Sequence, residues 1–158
     1  MSTSKNGTGN EVIAMRKEKI IDMLNCNQSK KVQDLGIKYA LQEKEKSFLL
    51  YYAEDIQYSD NCAKIFASMS YNESEIYMDE LFKDLNTPGA IIILEYLTNC
   101  PGKILYSAFK KSLTASFKRN TKTLFNNLLL IFKENATLQN VIKNNDEYAY
   151  KLLTESLL

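Results

Sequence analysis

The sequence predicts an all-α domain, and three observations carry that prediction. Only five glycines and two prolines punctuate 158 residues, too few for the many tight turns of a β-sandwich. Apolar residues recur three and four positions apart along most of the chain, the spacing of one helix face. The stretch from Tyr71 to Leu97, YNESEIYMDELFKDLNTPGAIIILEYL, reads as two helices joined by a tight turn, the second apolar almost all round. A helix of that kind belongs inside a protein, with the other elements wrapped along it. Asn72 and Glu75 have capping-box spacing at its start. At the turn, Thr87 can cap the second helix, and Pro88 suits the first helical position, where a missing N–H costs nothing.

Each element follows from its local pattern. Residues 1–10, MSTSKNGTGN, lack the apolar centre of a signal peptide and read as a disordered tail, leaving 11–158 as one helical domain. Between Glu11 and Asn25, Val12, Met15, Lys19, Ile20, Met23 and Leu24 form a stripe, with Arg16, Lys17 and Glu18 on the polar side. Ser29 can cap a second helix with Val32, Leu35, Tyr39 and Ala40 inward. Gly36 inside it costs about 1 kcal/mol relative to Ala and so points to a close helix crossing. Ser47–Ala53, SFLLYYA, is aromatic enough for a strand, but it has no strand to pair with and is assigned to a short helix. Ser59 or Asp60 caps the next, whose stripe is Cys62, Ile65, Phe66 and Met69.

After the central pair, Cys100-Pro101-Gly102 breaks the chain. Lys103–Arg119 follows, with Ile104, Leu105, Ala108, Phe109, Leu113 and Phe117 on one side. Thr121 opens TKTLFNNLLLIFKEN, in which Leu124, Phe125, Leu128, Leu129 and Phe132 face a core. Thr137–Lys143 and Asp146–Leu158 close the chain, the last with Tyr150, Leu153 and Leu157 on one face. About ten helices of roughly 8 to 17 residues with short connections imply antiparallel neighbours. Paired in order they give five hairpins of roughly 30 residues, the scale of a helical solenoid. An irregular helical bundle is the competing arrangement. Asn-Cys recurs at Asn25, Asn61 and Asn99, but at different points relative to the helices, so it marks no repeat.

Composition narrows the function. Histidine is absent, which removes the commonest general base, the usual partner of a nucleophilic Ser or Cys, and a common metal ligand. The chain is therefore expected not to be an enzyme and to need neither cofactor nor metal. Three cysteines without a C-x-x-C spacing argue for a reduced, cytoplasmic protein and against a zinc site. The longest apolar run, Ala90–Leu94, is too short to cross a bilayer. A net charge of +1 gives no global pull toward nucleic acid or membrane.

The span from Ser59 to Asn99 resembles a group of small bacterial HEAT-like proteins, some of them of toxin-immunity type. Asn61-Cys62-Ala63-Lys64-Ile65 and Asn86-Thr87-Pro88-Gly89-Ala90 stand at the matching points, with Thr87 where an aromatic is expected and a shorter outer helix before the turn. The resemblance implies a right-handed HEAT-like solenoid of about five helical hairpins and supplies no catalytic residue. It implies a module that grips one protein partner, such as a basic toxin it neutralises.

Charge segregation suggests where a partner would sit. From Glu54 to Asp84 there are eight acids against two lysines, and from Lys103 to Lys133 seven bases and no acid. Either patch could steer a partner of opposite sign, or both are solvated faces attracting each other. Glu75 and Asp79 lie four apart on one helix, with Glu80 beside them; a metal or acid–base role for them lacks further ligands at recognisable spacing. Glu95 is a lone acid within AIIILEYL, which must reach the surface or a lysine to avoid a large burial cost. In a solenoid it would lie in the groove. Glu75, Asp79, Glu80, Glu95 and Tyr96 are thus the candidate partner-binding residues. The ten tyrosines, Tyr51, Tyr52 and Tyr58 among them, favour protein interfaces where exposed. The alternative function is nucleic-acid association through Lys103, Lys110, Lys111, Lys118, Arg119 and Lys122 in segment 103–122.

Overall fold

The apolar stripes fold as helices. This computed structural model describes residues 9–158 except Asp84, and only the backbone of residues 9–12, 14 and 15. Every regular element among the described residues is helical. The chain runs through α1 (Gly9–Leu24), α2 (Lys30–Gln42), a 3-10 turn (Ser47–Leu49) entering α3 (Leu50–Ala53), and α4 (Ser59–Ala67). It continues through α5 (Tyr71–Ser74), a second 3-10 turn (Glu75–Tyr77), α6 (Met78–Leu81), α7 (Ala90–Asn99) and α8 (Gly102–Lys118). Last come α9 (Lys122–Glu134), α10 (Ala136–Asn145) and α11 (Glu147–Glu155). The expected tail falls outside the described residues except for Gly9 and Asn10, whose backbone opens α1. The side chains of Val12 and Met15 also lie outside them.

Packing follows two successions. α2 packs on α4, α4 on α7, and α7 on α9; α6 packs on α8, and α8 on α10. α1 with α2, α8 with α9, and α10 with α11 are also in contact. Leu24, Leu49, Ile65, Phe66, Phe82, Leu97, Phe109 and Phe132 form one core with almost no exposure. Its rings meet edge to face, Phe66 with Tyr77 at 5.5 Å and Phe82 with Phe109 at 6.1 Å. Gly36 marks the crossing its position predicts, since a Cβ there would stand 2.8 Å from Met23 Cβ. Gly102 allows the start of α8 to meet the start of α10, where a Cβ would stand 2.5 Å from Leu138 Cα.

Three buried asparagines tie helices together, Asn127 and Asn135 across the two successions and Asn61 between α4 and the end of α1, and periodicity gave no sign of them. Asn61 Nδ2 donates to the Leu24 carbonyl at 2.8 Å. Asn127 Nδ2 donates to the Phe82 and Lys83 carbonyls at 3.0 and 3.2 Å. Asn135 Nδ2 donates to the Leu97 and Cys100 carbonyls at 3.0 and 2.8 Å. These acceptors are carbonyls at or near helix C-termini, the groups a helix leaves unpaired.

Several local expectations are corrected. The capping box is Ser70 with Glu73 rather than Asn72 with Glu75: Ser70 Oγ accepts from Glu73 N–H, and the Glu73 carboxylate accepts from Ser70 N–H at 3.0 Å. The helix it opens is interrupted by the Glu75–Tyr77 turn, beside which the buried Tyr77 hydroxyl accepts from Lys46 N–H at 2.9 Å. The elements are accordingly more uneven than the expected lengths. α7 starts only at Ala90, because Thr87 C=O closes a turn on Ala90 N–H and Gly89 N–H donates to Ser59 Oγ. That bond also removes Ser59 from capping, and Asp60 does not cap α4 either. α2 buries Gly36 and Ala40 while Leu35 and Tyr39 face out. Phe117 is 53% exposed and rests on Phe125, not in the core.

Candidate functional site

α7 presents two faces of opposite character. Ile93, Tyr96 and Leu97 enter the core, whereas Ile91 and Glu95, one turn apart, face outward. Ile91 is 78% exposed, so the helix is not buried all round as its composition suggests. Ile91 is thus an apolar residue left in water one turn from a carboxylate, as exposed as Ile76 and Ile56 elsewhere on the chain.

Glu95 lines an open groove of about 290 Å³ with Ala67, Tyr71, Ile92, Tyr96 and Asn99. The Tyr71 and Tyr96 rings lie 4.9 Å apart, tilted by 36°. Of the predicted site residues, Tyr96 turns inward. It is 8% exposed, its hydroxyl lies 2.6 Å from that of Ser74, and it donates to Met69 C=O at 3.2 Å. Asn99 Nδ2 donates to the Glu95 carbonyl at 2.8 Å, which fixes the end of the helix. Glu95 has no ion-pair partner among the described residues. An unpaired carboxylate beside aromatic rings can receive a lysine or arginine side chain, by ion pairing and by contact with ring faces. Sequence reasoning found Glu95 and passed over Ile91, Ile92 and Asn99, which lie one turn away on the same helix, while Ala67 and Tyr71 are brought to it only by folding.

The other predicted acids are divided between places. Glu75 is exposed, and its charge acts after burial in pushing the Cys100 thiol up to about 12. Asp79 is paired with Lys111, and Glu80 with Lys83 at 2.7 Å. Both carboxylates line a cleft formed by α6, α8 and the start of α9, apart from the Glu95 groove. The structure therefore does not bring Glu75, Asp79, Glu80 and Glu95 into one surface.

The basic segment is likewise partly engaged. Lys103, Lys110, Lys111 and Lys118 share the face of α8 opposite Leu105, Phe109 and Leu113. Lys110 pairs with Asp146 at 3.1 Å and stands 5.9 Å from the Tyr106 ring centroid. Hydrogen bonding to Asp146 raises its pKa; the Asp146 carboxyl is held below its ordinary value first by Ala149 N–H and then by Lys110. Lys111 is taken by Asp79. Lys103, Lys118, Arg119 and Lys122 are exposed, with no ion pair among the described residues.

Burial pushes the Cys62 thiol up to about 12, as it does Cys100, so both remain protonated and poor nucleophiles at neutral pH. Among the described residues no group of three His, Cys, Asp or Glu side chains could hold a metal ion, and no helix is long and apolar enough to cross a membrane. No family model, curated protein or solved structure matches the chain.

Proposed function

We propose that this protein is a non-enzymatic, cytoplasmic binding module that grips one basic protein partner through the outward face of α7. The observation that carries this reading is Glu95, an exposed carboxylate without an ion-pair partner among the described residues, beside exposed Ile91 and the Tyr71–Tyr96 ring pair. Such a surface offers an apolar anchor and a charge that fixes register, the combination that gives an interface both contact area and orientation.

The proposed architecture is a short HEAT-like array. Five pairs serve as its units: α1 with α2, α3 with α4, the broken α5–α6 with α7, α8 with α9, and α10 with α11. The successive contacts of α2, α4, α7 and α9 support this arrangement, as do those of α6, α8 and α10. In it α7 belongs to the row of second helices, whose side chains line the groove of a solenoid. The resemblance of residues 59–99 to immunity-type proteins points to a basic toxin as the partner class.

Charge reversal tests the proposal. Glu95→Lys should abolish capture of the cognate protein, sought first as the product of the neighbouring gene, while the circular dichroism spectrum stays unchanged. Salt-sensitive binding of arbitrary nucleic acid, lost on removing Lys103 and Lys118, would instead support the basic segment as the working surface.

A further inference from the structure

We infer that the groove beside Glu95 takes an arginine side chain of the partner in preference to a lysine. The inference rests on the docking reading above and names the residue that delivers the partner's charge. At about 290 Å³ the groove falls just below the roughly 300–1,000 Å³ of small-molecule sites. It suits one side chain delivered by a larger body.

The polar groups it offers are acceptors. The Asn99 amide can point only one way, because Nδ2 donates to the Glu95 carbonyl at 2.8 Å and so turns Oδ1 away from it. Among the described residues nothing donates to that Oδ1, and no cation pairs with the Glu95 carboxylate. The Tyr96 hydroxyl is spent inward on Met69 C=O. Glu95 and Asn99, four residues apart on α7, thus set two acceptors one turn from each other along the groove. An anion would find its would-be donors already engaged.

The local charge has the same sign. α7 carries no basic residue in its last turn, so nothing on the helix itself offsets the partial negative charge of its C-terminus. Burial raises the pKa of the Tyr96 hydroxyl, and the charge of Glu73 adds to it; Glu75 adds to the effect of burial on the Cys100 thiol in the same way. Both acids contribute negative potential at the end of α7.

That potential attracts either cation, and geometry chooses between them. A guanidinium is planar, so it can bridge two acceptors a turn apart while its face lies on a ring. Tyr71 supplies the ring: it lines the groove, half-buried against Tyr96, with the centroids 4.9 Å apart. An ammonium is a compact, strongly hydrated point charge, which gains from Glu95 but less from the ring and the amide together. Ile91, 78% exposed one turn before Glu95, adds an apolar contact for the residue next to the arginine.

The test is titration of the full chain with acetyl-arginine methylamide and with its lysine counterpart. Binding is followed through the backbone amide resonances of Glu95 to Asn99 and the Asn99 side-chain amide. Saturable shifts are expected, with arginine at least about threefold tighter than lysine. Glu95→Gln should weaken arginine binding by at least about tenfold, the effect of losing a charge-assisted pair. Asn99→Ala should shrink the arginine preference to under about twofold, which loss of charge attraction alone would not do. Glu147→Gln, at an exposed acid on α11, should change nothing, and circular dichroism checks that each variant is folded. A capped leucine-arginine dipeptide should bind at least about threefold tighter than the single residue, a gain that Ile91→Ser removes. No saturation by arginine up to about 100 mM, or equal affinity for lysine, would overturn the inference. So would an equal loss in Glu147→Gln, which would mean unspecific attraction. If the arginine preference fails while Glu95→Lys still abolishes capture of the cognate protein, this inference falls and the docking reading stands. Capture that survives Glu95→Lys would overturn that reading, and this inference with it.

Discussion

Asn135 is where a single substitution should reveal how the helices are joined. Its side chain is 1% exposed and all its hydrogen-bonding capacity is used. Nδ2 donates to Leu97 and Cys100 carbonyls at the end of α7, while Oδ1 accepts from Leu138 N–H and Thr137 Oγ1–H at the start of α10. Four such bonds at a net value of about 0.5–1.5 kcal/mol each sum to roughly 2–6 kcal/mol. The N-cap role alone contributes about 1 kcal/mol of that. Asn135→Ala should therefore cost about 3–5 kcal/mol, a large part of the roughly 5–15 kcal/mol that holds a domain folded. Urea unfolding followed by far-ultraviolet circular dichroism measures it, and the midpoint should fall by at least about 1 M. Asn135→Asp separates the two ends of the bridge. It keeps the acceptor for α10 but sets carboxylate oxygen against two carbonyls, so it should destabilise at least as much as Ala at neutral pH. A loss under about 1 kcal/mol in both variants would refute the view that α7 and α10 are held through this amide.

Two further substitutions probe packing and charge. Gly102→Ala would push a methyl into the Leu138 backbone, and overpacking there should cost about 1–3 kcal/mol or more, read as a lower melting temperature; an unchanged value would mean α8 and α10 are not in close contact. Asp146→Asn keeps the helix cap but loses the Lys110 ion pair. Because the Asp146 carboxyl is held below its ordinary value, its contribution is present above the unfolded pKa near 4 and is lost as pH falls through the folded value. The stability gap between wild type and Asp146→Asn should thus close on acidification; a gap that widens would contradict the assignment.

Much of the fold could be read where one face is uniformly apolar. Cys62, Ile65, Phe66 and Met69 were expected to be buried and are, because their spacing leaves no alternative face. The caps were less legible. Ser70–Glu73 and Asn72–Glu75 both fit the capping-box spacing, and the Ser70 start prevails in a segment whose helix gives way to a 3-10 turn at Glu75–Tyr77. The buried asparagines were invisible because an amide reads as solvent-facing until the carbonyls it satisfies are near, and those lie 35 to 45 residues away. The site shows the same division. Glu95 stood out as an acid within an apolar helix, whereas the inward turn of Tyr96 depends on Ser74 and Met69 C=O offering its hydroxyl a partner.

The central claim, that a basic protein docks on the outward face of α7, is tested most directly by the kinetics of that association. Surface plasmon resonance with the neighbouring gene's product would compare wild type with Glu95→Lys and, on the basic face of α8, Lys110→Glu. The wild-type on-rate should fall as salt is raised, since electrostatic steering is screened. Glu95→Lys should weaken the complex by at least about tenfold in a folded protein, while Lys110→Glu leaves it within about threefold. Unchanged affinity in folded Glu95→Lys would contradict the account and shift attention to exposed Tyr51 and Ile56, 89% and 71% accessible.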